Sequence, residues 1–227
     1  TDAAPQKRPL RAAILTQDDP FAVPILLEEM FSRRRDAIVA LFVAHPPSAR
    51  EGLLATVRRW WALFGPLTFF RYAIAYLFVK LLGRGPHQIA LRRGIPVAEV
   101  ADVNAPEFLD ILRGLDLDVI ISVSCPQIFG KRLLALPPRG CINVHSGPLP
   151  RYRGQLPTFW VLYHGERETA VTVHQMNRKV DDGPILLQEP VSIEPGESQA
   201  SLMRRCKCIG GRLLAEAITR LEAGDLC

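Results

Sequence analysis

Short runs of apolar and β-branched residues alternate with amphipathic stretches along most of the chain. Most of the runs carry apolar side chains at consecutive positions, which is typical of parallel strands buried on both faces. They lie at residues 11–15, 37–43, 95–100, 119–123, 142–145, 169–175 and 185–193. The amphipathic stretches predict helices at residues 21–32, 107–114, 131–136, 156–164 and 199–222. This alternation indicates an α/β fold, a Rossmann-like, mostly parallel sheet flanked by helices.

Cap and turn residues predict several boundaries in this pattern. Asp19 followed by Pro20 predicts the start of the first helix, with Asp19 as its N-cap. Asn104 is expected to do the same ahead of Pro106. The glycine pair at 210–211 predicts a weak point in the last helix.

Residues 60–82 are rich in Trp, Phe, Leu and Tyr, and their number approaches that of a bilayer span. The Gly65-Pro66 interruption and Arg71 near the middle argue against a transmembrane helix, because both are costly in a single span. We therefore expect an apolar helical insert at about residues 52–84. It would pack on the core, form a dimer surface or cover the active site. Contact with a membrane surface is the minor alternative.

Composition and charge are those of an ordinary globular protein, with 48% hydrophobic residues, 22% charged residues and a formal charge of +5. The length of 227 residues can bury a full core, so we expect a single domain over residues 1–227. The leader from Thr1 to Lys7 is polar and lacks the apolar core of a signal peptide. Five cysteines without C-x-x-C spacing predict a reduced, cytoplasmic setting and no metal site.

The turn after the first predicted strand, at residues 16–20, contains no glycine. It therefore cannot form the Gly-rich cradle that binds a dinucleotide pyrophosphate. A nicotinamide or flavin enzyme of the Rossmann type is not expected.

Polar groups lie in the loops at 124–129, 143–154 and 175–184, which we expect to converge at the ends of strands. Asn143 can stabilise an oxyanion, His145 can move a proton, and Asp181 or Asp182 can bias the charge of the imidazole. No serine or cysteine is placed as a nucleophile elbow would place it. This set suits acyl transfer by direct attack of an amine. A structural histidine and an ordinary turn would fit the same residues.

Two motifs carry a family resemblance. One is Asn143-Val-His145 followed by Pro148-Leu-Pro-Arg-Tyr-Arg-Gly154. The other is Thr172-Val-His-Gln-Met176 followed by Val180-Asp-Asp-Gly-Pro184. Together they resemble the catalytic signature of the folate-dependent formyltransferases, which include glycinamide ribonucleotide, methionyl-tRNA and nucleotide-sugar formyltransferases. The resemblance covers most of residues 118–191, and residues 19–25 are similar to the first helix of the tRNA and sugar members.

The resemblance implies that Asn143, His145 and Asp181 are the catalytic residues. Asp181 is preferred to Asp182 because it lies seven residues after His174, as the family's aspartate follows its matching histidine. The resemblance also implies that an amine attacks the formyl carbon of 10-formyltetrahydrofolate, the co-substrate. Asn143 and His145 would stabilise the tetrahedral oxyanion. His145 and Asp181 would handle the amine proton, directly or through a water.

The same resemblance implies a pterin pocket and an acceptor site. The pocket would use backbone contacts near 127–129, and its members would be Ser124, Gln127, Ile128, Phe129, Val180 and Asp182. The acceptor would contact Ser146, Gly147, Arg151, Tyr152 and Arg153. The three residues at 151–153 could clamp a substrate phosphate or only fix the loop. The family's frequent Pro-Ser-Leu-Leu-Pro is replaced here at 146–150, so acceptor choice is expected to depend on that stretch.

Three features narrow the expected acceptor. The phosphate nest of glycinamide ribonucleotide enzymes is missing, because the turn after the first strand has no glycine. The chain ends at Cys227, without the basic second domain that methionyl-tRNA enzymes carry. A charge of +5 is low for bulk RNA binding. We therefore expect a small-molecule amine, above all an amino sugar on a nucleotide carrier, with no nucleic-acid partner and a homodimeric assembly.

Three other interpretations stay open. The acceptor could be another amine, such as that of methionyl-tRNA or an amino acid. The enzyme could instead hydrolyse formyltetrahydrofolate, in which case formate would be released without an acceptor. A non-catalytic, folate-binding subunit would bind folate without turnover.

Overall fold

The computed structural model of the chain describes residues 8–46 and 53–226. The predicted leader from Thr1 to Lys7 lies outside the described residues, as do Gly52, where the predicted insert begins, and Cys227.

A seven-stranded sheet forms the centre of the fold. Its strands are β1 (Ala12–Thr16), β2 (Ile38–Ala44), β3 (Val97–Val100), β4 (Val119–Val123), β5 (Cys141–His145), β6 (Glu168–Gln175) and β7 (Ile185–Ser192). Their order is β3-β2-β1-β4-β5-β6-β7. The first five strands are parallel to one another, whereas the β5–β6 and β6–β7 pairs are antiparallel. The predicted α/β fold with a mostly parallel sheet is confirmed.

Helices cover both faces of this sheet. They are α1 (Val23–Arg34), α2 (Leu53–Leu81), α3 (Pro86–Arg92), α4 (Pro106–Gly114), α5 (Lys131–Leu134), α6 (Pro157–Tyr163) and α7 (Gln199–Ala223). On one face, α1 and α7 pack on a large apolar cluster that includes Ile14, Ile121, Ile142 and Val144. On the other, α4 and α5 pack on a smaller cluster that extends to Cys141. The second face beyond α5, over β5 and β6, is therefore left to loops.

The first helix begins later than its predicted cap. The Asp19 carboxylate accepts hydrogen bonds from the N–H groups of Phe21 (2.8 Å) and Ala22 (3.2 Å), which closes a turn ahead of the helix. The helix itself begins at Val23, with Pro24 in its first turn and no side-chain cap. The predicted N-cap role of Asp19 is wrong because its carboxylate is used by this earlier turn.

Asn104 also has a different role from the one predicted. Its amide donates to the Ile128 carbonyl at 3.0 Å and accepts from the Gly130 N–H at 2.6 Å. The cap position of α4 is occupied by Ala105, without a side-chain hydrogen bond. Asn104 therefore connects the start of α4 to the loop after β4 instead of capping the helix.

The two glycines of α7 are packing positions. The helix runs without a break through residues 210–211, so the predicted weak point is wrong. A Cβ atom at Gly211 would lie 2.5 Å from the carbonyl oxygen of Leu26 and 2.8 Å from Cβ of Glu29. The missing side chain therefore lets α1 and α7 approach closely.

The predicted insert forms two helical arms within α2, a first arm at residues 53–64 and a second arm at residues 66–81. Gly65 leaves the helical conformation, with φ of 70° and ψ of 166°, and Pro66 follows it. The arms meet through aromatic rings, since Trp61 lies with its ring centroid 5.7 Å from those of both Phe69 and Phe70. Among the described residues, no helix is both long and apolar enough to cross a membrane.

The second arm contacts the loop after β1. The Tyr76 hydroxyl lies 3.4 Å from an Asp18 carboxylate oxygen, and the rings of Phe21 and Tyr72 are 6.3 Å apart. Most large apolar side chains described in this arm are nevertheless exposed: Leu67, Phe70, Ile74, Leu77, Phe78 and Leu81. Of the three placements expected for the insert, packing on the core does not hold for these side chains, because they are exposed.

Candidate active site

β5 and β6 bring three polar side chains to one face of the sheet. Side chains alternate along a strand, so Ile142 and Val144 enter the core while Asn143 and His145 lie on the opposite face. His174 lies directly across from Asn143 in the antiparallel pair. The side chains of His145 and His174 are almost fully buried, with 6% and 2% of their surface exposed.

The loop at residues 176–184 supplies a carboxylate to this face. Asp181 Oδ2 lies 3.3 Å from His145 Nδ1 and accepts a hydrogen bond from the Gly154 N–H at 2.9 Å. Asp181 Oδ1 lies 3.3 Å from Asn143 Nδ2 and 3.4 Å from His174 Nε2. The three residues that the sequence predicted as catalytic are thus in direct contact around Asp181.

Asp181 reaches His145 from the far end of β5. Because β6 is antiparallel to β5, the loop leaves β6 at the far end of β5, where the Met176 N–H donates to the Cys141 carbonyl at 2.7 Å. The loop then folds back along the face of the sheet. Loops 124–129 and 143–154 do follow neighbouring parallel strands at one edge. The third loop begins at the opposite edge and meets the other two by folding back.

The hydrogen bonds of His145 determine which of its ring nitrogens is basic. Nε2 lies 2.8 Å from the Tyr152 carbonyl oxygen, which can only accept, so Nε2 carries the proton of the neutral ring. Burial lowers the pKa of His145 by more than the Asp181 carboxylate and the Tyr152 carbonyl raise it. The neutral imidazole therefore predominates at neutral pH. Its unprotonated Nδ1 faces Asp181.

Asp181 is held in its ionised form. Burial favours a raised pKa, but the contacts of this carboxylate outweigh that effect. Its contacts with His174 and His145 and the hydrogen bond from the Gly154 N–H together hold the pKa of Asp181 below its ordinary value. A proton that reaches His145 Nδ1 would therefore meet a carboxylate already positioned to stabilise it.

His174 orients the amide of Asn143. His174 Nδ1 lies 2.8 Å from the Gln175 carbonyl oxygen and donates to it, and His174 Nε2 lies 3.2 Å from Asn143 Nδ2. The second Asn143 N–H points to Asp181 at the longer distance of 3.3 Å. A ligand oxygen that accepts from this N–H would take the place of the Asp181 carboxylate.

Gly147 lies against the ring of His145. A Cβ atom at position 147 would be 2.7 Å from His145 Nε2 and 2.9 Å from Cβ of Pro157. Ser146 beside it is also buried. Gly147, one of the positions at which the chain departs from the family pattern, therefore packs directly against the imidazole.

Left-handed backbone recurs around the cluster. Ser124, Tyr152 and Asp181, one from each of the three loops, have φ angles of 53°, 56° and 48°. Each such conformation costs a non-glycine residue about 1 kcal/mol or more, and such costs are typical of sites where surrounding contacts fix the backbone. The strain here coincides with residues that hold His145 and Asp181 in place.

Two predicted members of the pterin pocket have structural side chains. The Gln127 amide donates to the carbonyls of His45 (2.7 Å) and Ala101 (2.9 Å), and its oxygen accepts from the Val103 N–H at 2.9 Å. Phe129 is buried in the smaller apolar cluster. The side chains of both residues are therefore engaged within the chain.

Ile128 and Val180 suit a flat ligand. Their side chains are 70% and 54% exposed, one on the loop after β4 and the other on the returning loop. Both loops pack on the same apolar cluster, through Cys125 and Met176. Exposed apolar side chains beside buried polar groups are typical of sites that bind aromatic heterocycles. These two side chains therefore offer apolar surface that a ligand can cover.

Three of the five predicted acceptor residues are paired with carboxylates. The Tyr152 hydroxyl donates to Glu166 at 2.6 Å, which raises the pKa of the phenol, and Arg151 lies 3.3 Å from the same carboxylate. Arg153 lies 2.5 Å from Asp182 and so joins the predicted acceptor loop to the predicted pterin loop. Both guanidinium groups remain partly exposed, which leaves them able to contact an anion.

Lys207 of α7 is a site residue that the sequence did not predict. Its ammonium donates to Ser124 Oγ at 2.9 Å. Burial lowers the pKa of Lys207, and its charge in turn contributes to the lowered pKa of His145. The negative charge of Asp19 opposes this effect and raises the pKa of Lys207 by a smaller amount. Ser124 follows β4 and Asp19 follows β1, so Lys207 lies where the strand order reverses, the usual ligand crevice of such sheets.

No local signal marks Lys207, which lies inside a long helix 62 residues after His145 in the sequence.

Two cysteine thiols of this region, in β5 and in the loop after β4, are inert. Burial raises the pKa of Cys125 to about 11 and that of Cys141 to about 12. Among the residues that the structure describes, no group of His, Cys, Asp and Glu could hold a metal ion.

Residues 84–218 of the chain match the formyl transferase family. The chain belongs to this family. A methionyl-tRNA formyltransferase of Trichlorobacter lovleyi is 42% identical over 139 residues, which cover 61% of this chain and 44% of that protein. One from Myxococcus xanthus is 37% identical over 139 residues, 61% of this chain and 45% of that protein. The chain thus spans less than half the length of these formyltransferases.

Solved structures share the formyltransferase fold. Glycinamide ribonucleotide transformylase 1 from Symbiobacterium toebii has a TM-score of 0.68 at 18% identity, over 95% of this chain and 89% of that one. A sugar N-formyltransferase from Shewanella sp FDAARGOS_354 has a TM-score of 0.62 at 17% identity, over 96% of this chain and 72% of that one. The resemblance to formyltransferases stated from the two motifs is confirmed.

Proposed function

We propose that this chain transfers a formyl group from 10-formyltetrahydrofolate to a primary amine. The observation that carries the proposal is the contact of one ionised carboxylate, Asp181, with both His145 Nδ1 and Asn143 Nδ2. Membership of the formyl transferase family supports it. The proposal treats residues 1–227 as one catalytic domain with an apolar helical insert.

The roles of the three residues follow from their geometry. The co-substrate supplies an activated formyl carbon beside the cluster. Asn143 Nδ2 donates to the formyl oxygen as negative charge develops there. His145 Nδ1 takes the proton that the attacking amine loses, and Asp181 stabilises the imidazolium. His145 then returns this proton to the folate nitrogen as the old carbon–nitrogen bond breaks, so charge and protons balance.

The folate would lie against the loops at 124–129 and 176–184. Ile128 and Val180 offer exposed apolar surface to the ring, and the backbone near 127–129 offers hydrogen bonds. Ser124 and Asp182 border this region, but each already has a partner, Lys207 and Arg153 respectively. We therefore assign the pterin contacts to the backbone and to the two apolar side chains.

The relatives favour methionyl-tRNA as the acceptor. The matched proteins with about 40% identity are methionyl-tRNA formyltransferases, whereas the sugar N-formyltransferase shares the fold at 17% identity. The nucleotide-linked amino sugar expected from the sequence is thus not confirmed, and neither is the expected absence of a nucleic-acid partner. The nucleotide-linked amino sugar stays as a second candidate acceptor, because the partly exposed Arg151 and Arg153 suit a diphosphate.

An acceptor panel tests the proposal. Purified full chain is incubated with 10-formyltetrahydrofolate and either methionyl-tRNA, 3-amino or 4-amino sugar nucleotides, or no acceptor, and tetrahydrofolate and formylated product are measured. The proposal expects tetrahydrofolate only when an amine is present. Release of formate without an acceptor would support hydrolysis instead. Folate binding with no turnover on any amine would support a non-catalytic subunit.

The homodimer and the cytoplasmic setting stay predictions. Sedimentation of the purified chain over a range of concentrations measures the first, and fractionation of the source cells measures the second.

A further inference from the structure

Residues 52–98 are unusual in both charge and composition. They contain seven of the 28 basic residues of the chain and none of its 23 acidic residues. They also contain two of its three tryptophans and six further aromatic residues. The rest of the chain has more acidic than basic residues, so the net positive charge of the whole chain comes from this stretch, which includes α2 and α3.

The second arm of α2 presents a continuous apolar stripe. Its members recur every three or four residues, the spacing of one helix face: Leu67, Phe70, Ile74, Leu77, Phe78 and Leu81. Each is more than half exposed, and Leu67 and Leu81 reach 75% and 77%. Tyr72 and Tyr76, which contact the loop after β1, lie on the other side of the helix. The stripe therefore faces away from the sheet.

Exposed arginines accompany this stripe. Arg71 lies at its flank, Arg58 lies in the first arm, and Arg84, Arg92 and Arg93 follow the second arm. Apolar and aromatic side chains combined with basic ones are the composition of helices that lie in the interface of an anionic bilayer. A second copy of the chain is a poorer partner, because each copy would bring basic residues and no acidic ones to the contact.

We propose that α2 and the turn after it dock on an anionic phospholipid surface. The stripe enters the interface, and the arginines meet headgroup phosphates. The Gly65-Pro66 break lets the two arms lie along the surface, and Arg71 keeps its guanidinium at headgroup level. The proposal concerns binding alone and does not depend on the proposed formyl transfer.

Vesicle co-sedimentation of the full chain tests this proposal. We expect at least about tenfold tighter binding to vesicles of phosphatidylcholine with phosphatidylglycerol than to phosphatidylcholine alone, and weaker binding at high salt. Tryptophan fluorescence should shift to the blue on binding, because two tryptophans lie in this stretch.

Matched variants separate apolar insertion from charge. Leu77→Asp should abolish most of the binding, whereas Ile111→Asp on α4 should have little effect, although the two side chains are 59% and 56% exposed. Both substitutions add the same charge, and thermal unfolding shows that both proteins are folded. Equal losses in both variants would overturn the proposal, as would no binding to anionic vesicles. A dimer that Leu77→Asp dissociates, without vesicle binding, would also overturn it and assign the stripe to a second copy.

Discussion

The face of β5 and β6 and the stripe on α2 use their side chains in opposite ways. Around His145 the polar atoms are buried and hydrogen-bonded. Among the described residues, Thr169 Oγ1 is the one buried side-chain nitrogen or oxygen without a hydrogen-bond partner. On α2 the apolar side chains are exposed. The polar cluster is explained by contacts within the chain, whereas the stripe is exposed and is the face that we propose docks on phospholipid. Variants in one region should therefore leave the other unaffected.

The largest effect expected is that of His145→Ala. Loss of the base at Nδ1 should lower turnover of the acceptor found in the panel by at least about a hundredfold, with vesicle binding unchanged. Steady-state rates and co-sedimentation measure the two properties. His164→Ala is the control, since that histidine is exposed and outside the cluster. Near-normal turnover in His145→Ala would remove the imidazole from the mechanism.

Gly147→Ala should damage the same site by steric overlap. The added methyl would press on His145 Nε2 and Pro157, and overpacking of this kind costs about 1–3 kcal/mol. We expect a lower free energy of unfolding and a lower turnover number. Gly114→Ala is the matched control, because a Cβ there meets nothing within 4 Å. If the two variants unfold and turn over alike, the close packing at residue 147 is not required.

Asp181→Asn should shift the pH profile to lower pH as well as reduce turnover. The Asp181 carboxylate raises the pKa of His145, so its removal lowers that pKa further. The acidic limb of kcat/KM should then move to lower pH, while the maximal rate falls because the imidazolium loses its counter-charge. An unchanged acidic limb would argue that His145 is not the titrating base.

Lys207→Met is expected to have the smallest effect on activity. It should shift the pH profile in the direction opposite to that of Asp181→Asn. The ammonium contributes to the lowered pKa of His145, so its loss should raise that pKa and move the acidic limb of kcat/KM to higher pH. In the wild type, His145 is protonated only as pH falls through its lowered pKa. Activity should therefore hold at any pH at or above the ordinary pKa of a histidine. A movement of the limb to lower pH in Lys207→Met would contradict this electrostatic account.

Local patterns in the sequence predicted the sheet and the residues of β5, because apolar runs and the Asn143-Val-His145 motif are contiguous. They failed where distant elements meet. The antiparallel direction of β6 decides how Asp181 reaches His145, and the packing of α7 decides where Lys207 lies. The place of the insert was left open between the core, a dimer surface and the active site, because an apolar sequence indicates burial without indicating what buries it.

The most direct test of the central claim is the stoichiometry of formyl transfer in wild type and Asp181→Asn. Full chain, 10-formyltetrahydrofolate and methionyl-tRNA are mixed, with an amino-sugar nucleotide in parallel, and tetrahydrofolate and formylated amine are counted together. The account predicts one tetrahydrofolate for each formylated amine on one of these acceptors, and a large loss of rate in the variant. No formylated amine with either acceptor, or equal rates in both proteins, would contradict it.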